Sequence, residues 1–223
     1  MKLAHYDIES VFDVVPGRPN VLVVENEAHF FGYSAELFGQ IAGGEGNFCL
    51  SEGEAILPLS KAGVLFHDYL SLQVNEKRFS AKLYRMLQEA AERSCLPEYQ
   101  QLCNSFSAFF AKLNAEADCP LDYEEDCGME SLFKAFGVCL EAGESLTERL
   151  LLSMRAHRLF ARTRCFFFVG LKGVLSPEQL AQFYYEAELQ EMPLFLLENV
   201  QKSPLAGEIV TVIDRDLCEF VVK

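Results

Sequence analysis

The sequence predicts an α/β protein in which helices cover both faces of a largely parallel sheet. Three short apolar runs, NVLVVE at 20–25, CFFFVG at 165–170 and PLFLLE at 193–198, have the length and composition of fully buried strands. Segments with helical spacing alternate with these runs, as expected for helices that pack on a parallel sheet. A central region with two long amphipathic helices indicates an inserted helical subdomain.

The first third of the chain contains the first predicted strand and helix. After the strand at 20–25, large apolar residues recur at helical spacing until Gly43-Gly44 ends the helix. Residues 47–51 and 54–59 predict two further strands, joined by a tight turn at Glu52-Gly53. The N-terminal third therefore alternates strand, helix and hairpin.

The centre of the chain is predicted to be helical. Asn75 is expected to cap a helix that runs to about Arg93, and Pro97 lies where the first turn of a second helix tolerates proline. Two long helices with a short connection are expected to form an antiparallel pair. The predicted boundaries are 1–70 and 128–223 for the α/β domain and 71–127 for the helical subdomain, which includes an acidic segment.

The C-terminal third returns to the α/β pattern. Ser176 is expected to cap a helix that has Pro177 at its first position. The remaining predicted elements are a helix at 146–163 and two strands at 208–214 and 218–222, which are joined by a hairpin.

Composition narrows the range of functions. The chain has 223 residues, 33 acidic and 19 basic, and its net charge of −14 argues against a protein that coats nucleic acid with a generally basic surface. No apolar run approaches the roughly 20 residues that span a bilayer, and acids interrupt the N-terminal segment, so a soluble, cytoplasmic protein without a membrane partner is expected. Its eight cysteines include no CxxC pair and are interpreted as small hydrophobic residues.

The turn after the first strand lacks the residues of a phosphate-binding loop. Such a loop needs glycines for close backbone approach, and then Lys and Ser or Thr. The turn here is Glu25-Asn26-Glu27-Ala28-His29, and the chain contains no Gly-Lys dipeptide. The architecture is therefore expected to be NTPase-like without nucleotide binding, and Glu25 and Glu27 are equally consistent with favourable placement near a helix N-terminus.

An acidic segment is the strongest local signal. Residues 116–130 carry seven carboxylates and no basic residue, and Asp122, Glu124 and Asp126 have the alternate spacing of a calcium loop. The segment is not an EF-hand, because Cys127 occupies the glycine position and Phe133 the position of the bidentate Glu. A solvated acidic face remains the alternative to a cation site.

A basic segment is the second signal. Residues 149–164 contain five arginines and no acid, and Arg155, Arg158 and Arg162 fall on one narrow face if the helix keeps its 3.6-residue period. Arg164 follows at the entry to the next strand, and Lys134 and Lys172 are further candidates. These cations could neutralise phosphates, pair with the acidic segment, or lie over the core with their heads in water.

The order of these segments resembles a known family. NVLVVEN, LPLSKAGVLF, a helical insert, LDYEED…LFKAFGV, CFFFVGLKGVLSPEQL, PLFLLEN and VTVIDRDLCEFVV follow one another as in the small adaptation protein of type II-A CRISPR systems. The resemblance covers nearly the whole chain and rests on order and spacing. It implies an α/β head with an NTPase-like core, no working phosphate loop and a helical leg.

The resemblance also implies a function. It implies a non-enzymatic homotetrameric ring that holds linear double-stranded DNA without sequence preference during spacer acquisition, alongside the integrase complex and the RNA-guided nuclease. It implies Ca²⁺ bound near the junction of head and leg. The family's acidic segment maps onto Asp122, Glu124 and Glu125, with Asp126 nearby, and its basic positions map onto Lys134, Arg158, Arg162 and Arg164.

Two other interpretations of the sequence remain. The first is a degenerate nucleotide-binding scaffold that acts only through protein partners. The second is a metal-dependent hydrolase that uses the acidic segment.

Overall fold

The computed structural model describes residues 1–117, 119–123 and 128–222 and divides the chain into two compact units. The first unit comprises Met1–Val74 and Ala142–Lys223, and the second comprises Asn75–Glu141. The second unit therefore ends later than the predicted boundary at 127. The reason is that the Asn75 side chain and the Leu140 backbone exchange two hydrogen bonds of 2.8 Å, which close the second unit.

The N-terminal part of the first unit contains the predicted elements and further short ones. In chain order the N-terminal part contains β1 (Lys2–His5), β2 (Ile8–Asp13), β3 (Asn20–Val24), α1 (Glu27–Ile41), β4 (Phe48–Glu52), β5 (Ala55–Leu57), α2 (Leu59–Ala62) and β6 (Gly63–Phe66). The predicted strand at 20–25 and the predicted hairpin are confirmed, and Gly53 takes the positive φ of 58° that its tight turn requires.

The second unit is helical. It contains α3 (Lys77–Ser94), α4 (Leu96–Glu116) and α5 (Met129–Ala135). Phe79 and Leu83 form the buried face of α3, and the rings of Tyr84 and Phe133, 5.9 Å apart, connect α3 with α5. This contact explains why α5 belongs to the helical unit, although it follows the predicted boundary.

The rest of the first unit completes its sheet. It contains α6 (Leu146–Ala156), β7 (Cys165–Val169), α7 (Pro177–Leu189), β8 (Leu194–Glu198), β9 (Ile209–Ile213) and β10 (Glu219–Val222). A capping box at Ser176 and Gln179 begins α7, with Pro177 at its first position. The strands predicted at 165–170, 193–198, 208–214 and 218–222 are confirmed to within one residue.

The main sheet is mixed and mostly parallel. Its strand order is β10-β9-β3-β8-β7-β6, in which only β10 pairs antiparallel to its neighbour within the described residues. β3, β7 and β8 are buried along almost their whole length, as expected when both faces of a parallel sheet are covered. The predicted α/β class with a mostly parallel sheet is confirmed.

The two faces of this sheet are covered differently. On one face, Leu150 and Met154 of α6 and Phe183 of α7 pack in one core. On the other face, Leu37 of α1 packs with residues of a second sheet, including Leu3. That second sheet is antiparallel, with the order β2-β1-β4-β5, so the second face is covered by a helix and a sheet rather than by helices alone.

Three strands were not expected from the sequence. β1 and β6 have only four residues each, which is too short for a clear pattern. β2 does carry a weak signal, because Ile8 and Phe12 are buried four residues apart on one side of a strand whose intervening residues are mostly exposed. At Gly63 a Cβ atom would lie 2.8 Å from the Phe167 ring, so this ring packs where a side chain on β6 would lie.

Candidate nucleic-acid interface

The connection from α6 to β7 places most of the predicted basic residues. A capping box at Ser145 and Glu148 begins α6, and buried Leu150 and Met154 hold the helix on the sheet. A π-helical turn at His157–Ala161 follows directly, and Arg162 then takes a left-handed conformation with φ 58°. The chain enters β7 at Cys165, so the arginines lie on a segment fixed at both ends.

The π-helical turn corrects the predicted arrangement of the arginines. The sequence placed Arg155, Arg158 and Arg162 on one narrow face by assuming a 3.6-residue period through residue 163. The α-helix ends at Ala156, and the wider π turn and the left-handed residue interrupt that period. The arginine segment, residues 155–164, nevertheless exposes all four of its arginines, which are Arg155, Arg158, Arg162 and Arg164.

Arg155 and Arg158 contact the end of α7. Nε of Arg155 donates a hydrogen bond of 2.5 Å to the Gln190 side chain, and Arg158 donates to the Gln190 backbone carbonyl. Gln190 is the C-cap of α7, so Arg158 satisfies a carbonyl at a helix end. A second nitrogen of Arg158 lies 3.9 Å from a carboxylate oxygen of Glu191.

Arg164 contacts the β4–β5 hairpin. Its guanidinium donates to Oε1 of Glu52 at 2.5 Å. This hydrogen bond holds the pKa of the Glu52 carboxyl below its ordinary value and raises the pKa of Arg164. Among the described residues, the acids that meet these arginines are therefore Glu52 and Glu191, which the sequence did not single out.

The two pairs share one recess. Arg158, Arg164, Glu52 and Glu191 line an open recess of about 340 Å³, together with buried Thr163. Phe166 at the start of β7 and Pro193 before β8 also line it, so the recess lies at the amino ends of these parallel strands. The arrangement can bind an anion if the carboxylates move away from the guanidinium groups.

Lys134 belongs to the other compact unit. It lies in the last turn of α5, where its Nζ is 2.7 Å from Oε1 of Glu130, and both side chains are more than half exposed. This hydrogen bond raises the pKa of Lys134. The two side chains of this ion pair lie one helical turn apart and are solvated, so the ammonium group of Lys134 remains accessible.

Lys172 differs from the other predicted cations because it is buried. Its Nζ lies 2.9 and 2.8 Å from the two carboxylate oxygens of Glu208, and the two side chains are 5% and 0% exposed. Tyr184 also donates to Glu208, at 2.8 Å, and the backbone amide of Lys172 donates to Glu198. Lys172 therefore lies in a buried ion pair and is not one of the exposed cations, contrary to its place among the sequence candidates.

Glu198 makes the stability of this cluster depend on pH. Burial raises the pKa of the Glu198 carboxyl from 4.5 to about 7, against the opposing effect of the Lys172 amide. Since the folded state then holds a proton that the unfolded state has lost, stability is expected to fall as pH rises from about 4.5 to 7.

Glu198→Gln should remove that dependence. The amide oxygen can still accept from the Lys172 backbone amide, and no proton is exchanged, so we expect the variant to gain roughly 3 kcal/mol over the wild type above pH 7. Urea unfolding of both proteins at pH 4.5, 6 and 8 measures this difference in the free energy of unfolding. An equal fall in both proteins would show that another group causes the dependence.

The turn after β3 is built as a helix cap. The Asn26 side chain accepts hydrogen bonds from the backbone amides of Ala28 and His29, at 3.1 and 3.2 Å. These first-turn amides are the groups that would bind a phosphate in a phosphate loop. In this chain Asn26 occupies them, and Glu27 adds a negative charge beside them.

Most of the predicted calcium ligands lie outside the described residues. Glu124, Glu125 and Asp126 fall in that part of the chain, whereas Asp122 is described and exposed. Within the ranges that the structure describes, no group of three or more His, Cys, Asp or Glu could hold a metal ion. The donor set itself, four carboxylates, has the hard oxygen atoms that Ca²⁺ prefers.

None of the helices in the described ranges is both long enough and apolar enough to cross a bilayer.

Comparison with known proteins identifies the family. A search of the curated proteins finds no match. The family model described as CRISPR-associated protein (Cas_Csn2) matches residues 40–217, from the end of α1 to the β9–β10 turn. This range includes the whole helical unit, the arginine segment and most of the parallel sheet. The chain therefore belongs to the Cas_Csn2 family of CRISPR-associated proteins of type II-A systems.

Proposed function

We propose that this protein is a non-enzymatic, cytoplasmic binder of linear double-stranded DNA that acts as a homotetrameric ring in CRISPR spacer acquisition. Membership of a CRISPR-associated family supports the pathway. The observation that carries the proposal is the exposed arginine segment at the end of α6 and before β7, since its guanidinium groups are exposed and the acids that they meet among the described residues are solvated. The integrase complex and the RNA-guided nuclease of the same system are the proposed protein partners.

A ring reconciles DNA binding with the acidic composition. Four subunits that direct their arginines into one central hole place all cations against the duplex, and the acids remain outside. Each contact raises the effective concentration of the next one, so weak individual contacts suffice. Contacts of this kind fall on phosphates and carry no sequence information.

The β3–α1 turn supports a function without nucleotide. The backbone amides of Ala28 and His29 already bind the Asn26 side chain. A triphosphate would have to displace this cap and lie beside Glu25 and Glu27. The helix N-terminus stabilises these two carboxylates, but their negative charge would repel the phosphates.

Linear and closed-circular DNA distinguish the ring from other binders. The ring should bind a linear duplex and should bind a covalently closed circle of the same sequence far more weakly, because a closed ring threads only over a free end. Competition of labelled linear duplex with each form, at one salt concentration, measures the difference. Equal competition by the circle would contradict the closed ring, and no binding of either form would contradict the DNA-binding function.

Calcium is proposed to support the assembly. Asp122, Glu124, Glu125 and Asp126 would hold it, and Ca²⁺ would neutralise carboxylates that otherwise repel one another. Glu124→Gln combined with Glu125→Gln is expected to weaken calcium binding at least about tenfold and to shift the tetramer towards smaller species. Titration calorimetry and solution mass with and without calcium measure both effects, and a wild-type protein that binds no calcium would refute the metal assignment.

A protein-binding scaffold is the second candidate function. Helix α1 leaves Phe31 and Phe38 exposed at 73% and 52%, seven residues apart on one face. Exposed aromatic residues at this spacing are typical of a surface that contacts another protein. A wild-type protein that forms tetramers and binds its protein partners without binding DNA would favour this candidate.

A further inference from the structure

The recess at the amino ends of β7 and β8 contains two ion pairs that face the same solvent. Arg164 pairs with Glu52 from the β4–β5 hairpin, and Arg158 lies beside Glu191 from the turn after α7. All four side chains line this one recess of about 340 Å³. The carboxylates therefore lie beside guanidinium nitrogens that a phosphate would contact.

Both ion pairs are exposed enough for a phosphate to replace the carboxylate. The side chains of Arg164 and Glu52 are 42% and 51% exposed, and Glu191 is 81% exposed. Solvated pairs of this kind contribute little net free energy, because water and salt screen them. A phosphate, which offers several charged oxygens to a guanidinium, can replace a carboxylate there at small cost.

Backbone strain at Glu191 is a second, independent observation. Glu191 takes a left-handed conformation with φ 52°, directly after the C-cap of α7. The amides of Glu191 and Met192 donate to Glu188 and Ala187, as at a helix end that usually carries glycine. Any residue with a Cβ atom costs about 1 kcal/mol relative to glycine at this position. Here that residue is a glutamate beside Arg158, which points to a use for its carboxylate.

We propose that Glu52 and Glu191 mask the arginine site, and that DNA phosphates displace them from Arg164 and Arg158. The inference rests on the proposed DNA-binding function and adds to it two acidic residues that set its affinity. The exchange breaks two carboxylate–guanidinium contacts and forms two phosphate–guanidinium contacts, without covalent change. The masking lowers the affinity for DNA, most strongly at low salt because salt screens the ion pairs, and limits retention of the ring on DNA.

The opposite role for these acids leads to a different result. If Glu52 and Glu191 held the arginines in the orientation that DNA needs, then removing their charge would weaken binding. Masking predicts tighter binding for the same substitutions. The sign of the change therefore separates the two roles.

The test compares Glu52→Gln and Glu191→Gln with Glu54→Gln. Glu54 is exposed in the same β4–β5 turn and makes no ion pair with any described residue, so its substitution removes an equal charge without unmasking an arginine. Anisotropy with a labelled linear duplex is measured over a salt series. We expect each masking variant to bind at least about threefold more tightly than the Glu54 variant, and the effect of Glu52→Gln to vanish in the Arg164→Ala background.

A second probe separates failure of this inference from failure of the proposed function. Thermal stabilisation by inorganic pyrophosphate is measured on the same variants. If the wild type binds the duplex but Glu52→Gln binds no more tightly than Glu54→Gln, the masking inference is wrong and the function stands. If the wild type binds no duplex, the proposed function is wrong. The masking inference then holds only if pyrophosphate raises the melting temperature of Glu52→Gln more than that of the wild type, and an equal rise in both overturns it.

Discussion

Arg158→Ala combined with Arg164→Ala is expected to weaken binding of a linear duplex by at least about a hundredfold at low salt. Each phosphate contact contributes about 0.9 to the slope of log affinity against log salt. The double variant should therefore lose about 1.8 in this slope for every subunit that contacts the duplex. The loss should be equal for unrelated DNA sequences, because phosphate contacts are independent of base identity. Anisotropy over a salt series, with two unrelated duplexes, measures both quantities.

Arg215→Ala is the control for the loss of one positive charge, and it is compared with each of the single variants Arg158→Ala and Arg164→Ala. Arg215 is an exposed arginine in the β9–β10 turn, outside the arginine segment, so its loss changes the net charge by one without removing a proposed contact. The melting temperature of the double variant should fall only slightly, since Arg158 donates to a single carbonyl at the end of α7. An unchanged salt slope in an intact tetramer would place the DNA contacts elsewhere, with Arg155, Arg162 and Lys134 the next residues to replace.

Lys172→Met is expected to destabilise the fold by about 3 to 5 kcal/mol. The substitution removes the ammonium from a fully buried carboxylate, Glu208, and leaves that charge with hydrogen bonds from Tyr184 and Leu205 alone. Urea unfolding should show a lower midpoint with little change in slope. Any loss of DNA binding by this variant would follow from unfolding rather than from a lost phosphate contact.

A second substitution should rescue this variant. Lys172→Met combined with Glu208→Gln removes both charges. The oxygen of the new amide can accept from the Leu205 backbone amide, and its NH2 group can donate to the Tyr184 hydroxyl oxygen. Replacing a buried ion pair by neutral groups is often nearly neutral for stability, so the double variant should recover most of the loss. A single Lys172→Met variant as stable as the wild type would show that the buried pair contributes nothing.

Local patterns in the sequence were sufficient for the main sheet. β3, β7 and β8 are continuous apolar runs because both of their faces are covered, and such a run is visible without knowing its neighbours. Helix α7 was predictable for a similar reason, since Ser176, Pro177 and Gln179 lie within four residues of one another. The short strands β1 and β6 carried too few residues for any period to show.

For the basic segment, the sequence reveals the composition but not the arrangement of the side chains. That residues 149–164 are strongly basic follows from the sequence alone, and so does the absence of Gly-Lys after β3. The disposition of the arginines does not, because the π-helical turn at His157–Ala161 changes the helical period through tertiary packing that no local signal reports.

Tertiary structure alone decided which charges meet. Glu52 lies 112 residues before Arg164, and Glu208 lies 36 residues after Lys172. Lys172 and Arg164 look alike in the sequence, as cations that flank the same buried strand. Lys172 is buried and pairs with Glu208, whereas Arg164 faces solvent at the amino end of β7. Burial and pairing depend on contacts between distant segments, so only the folded chain separates a cation that is buried in the core from one that is exposed to solvent.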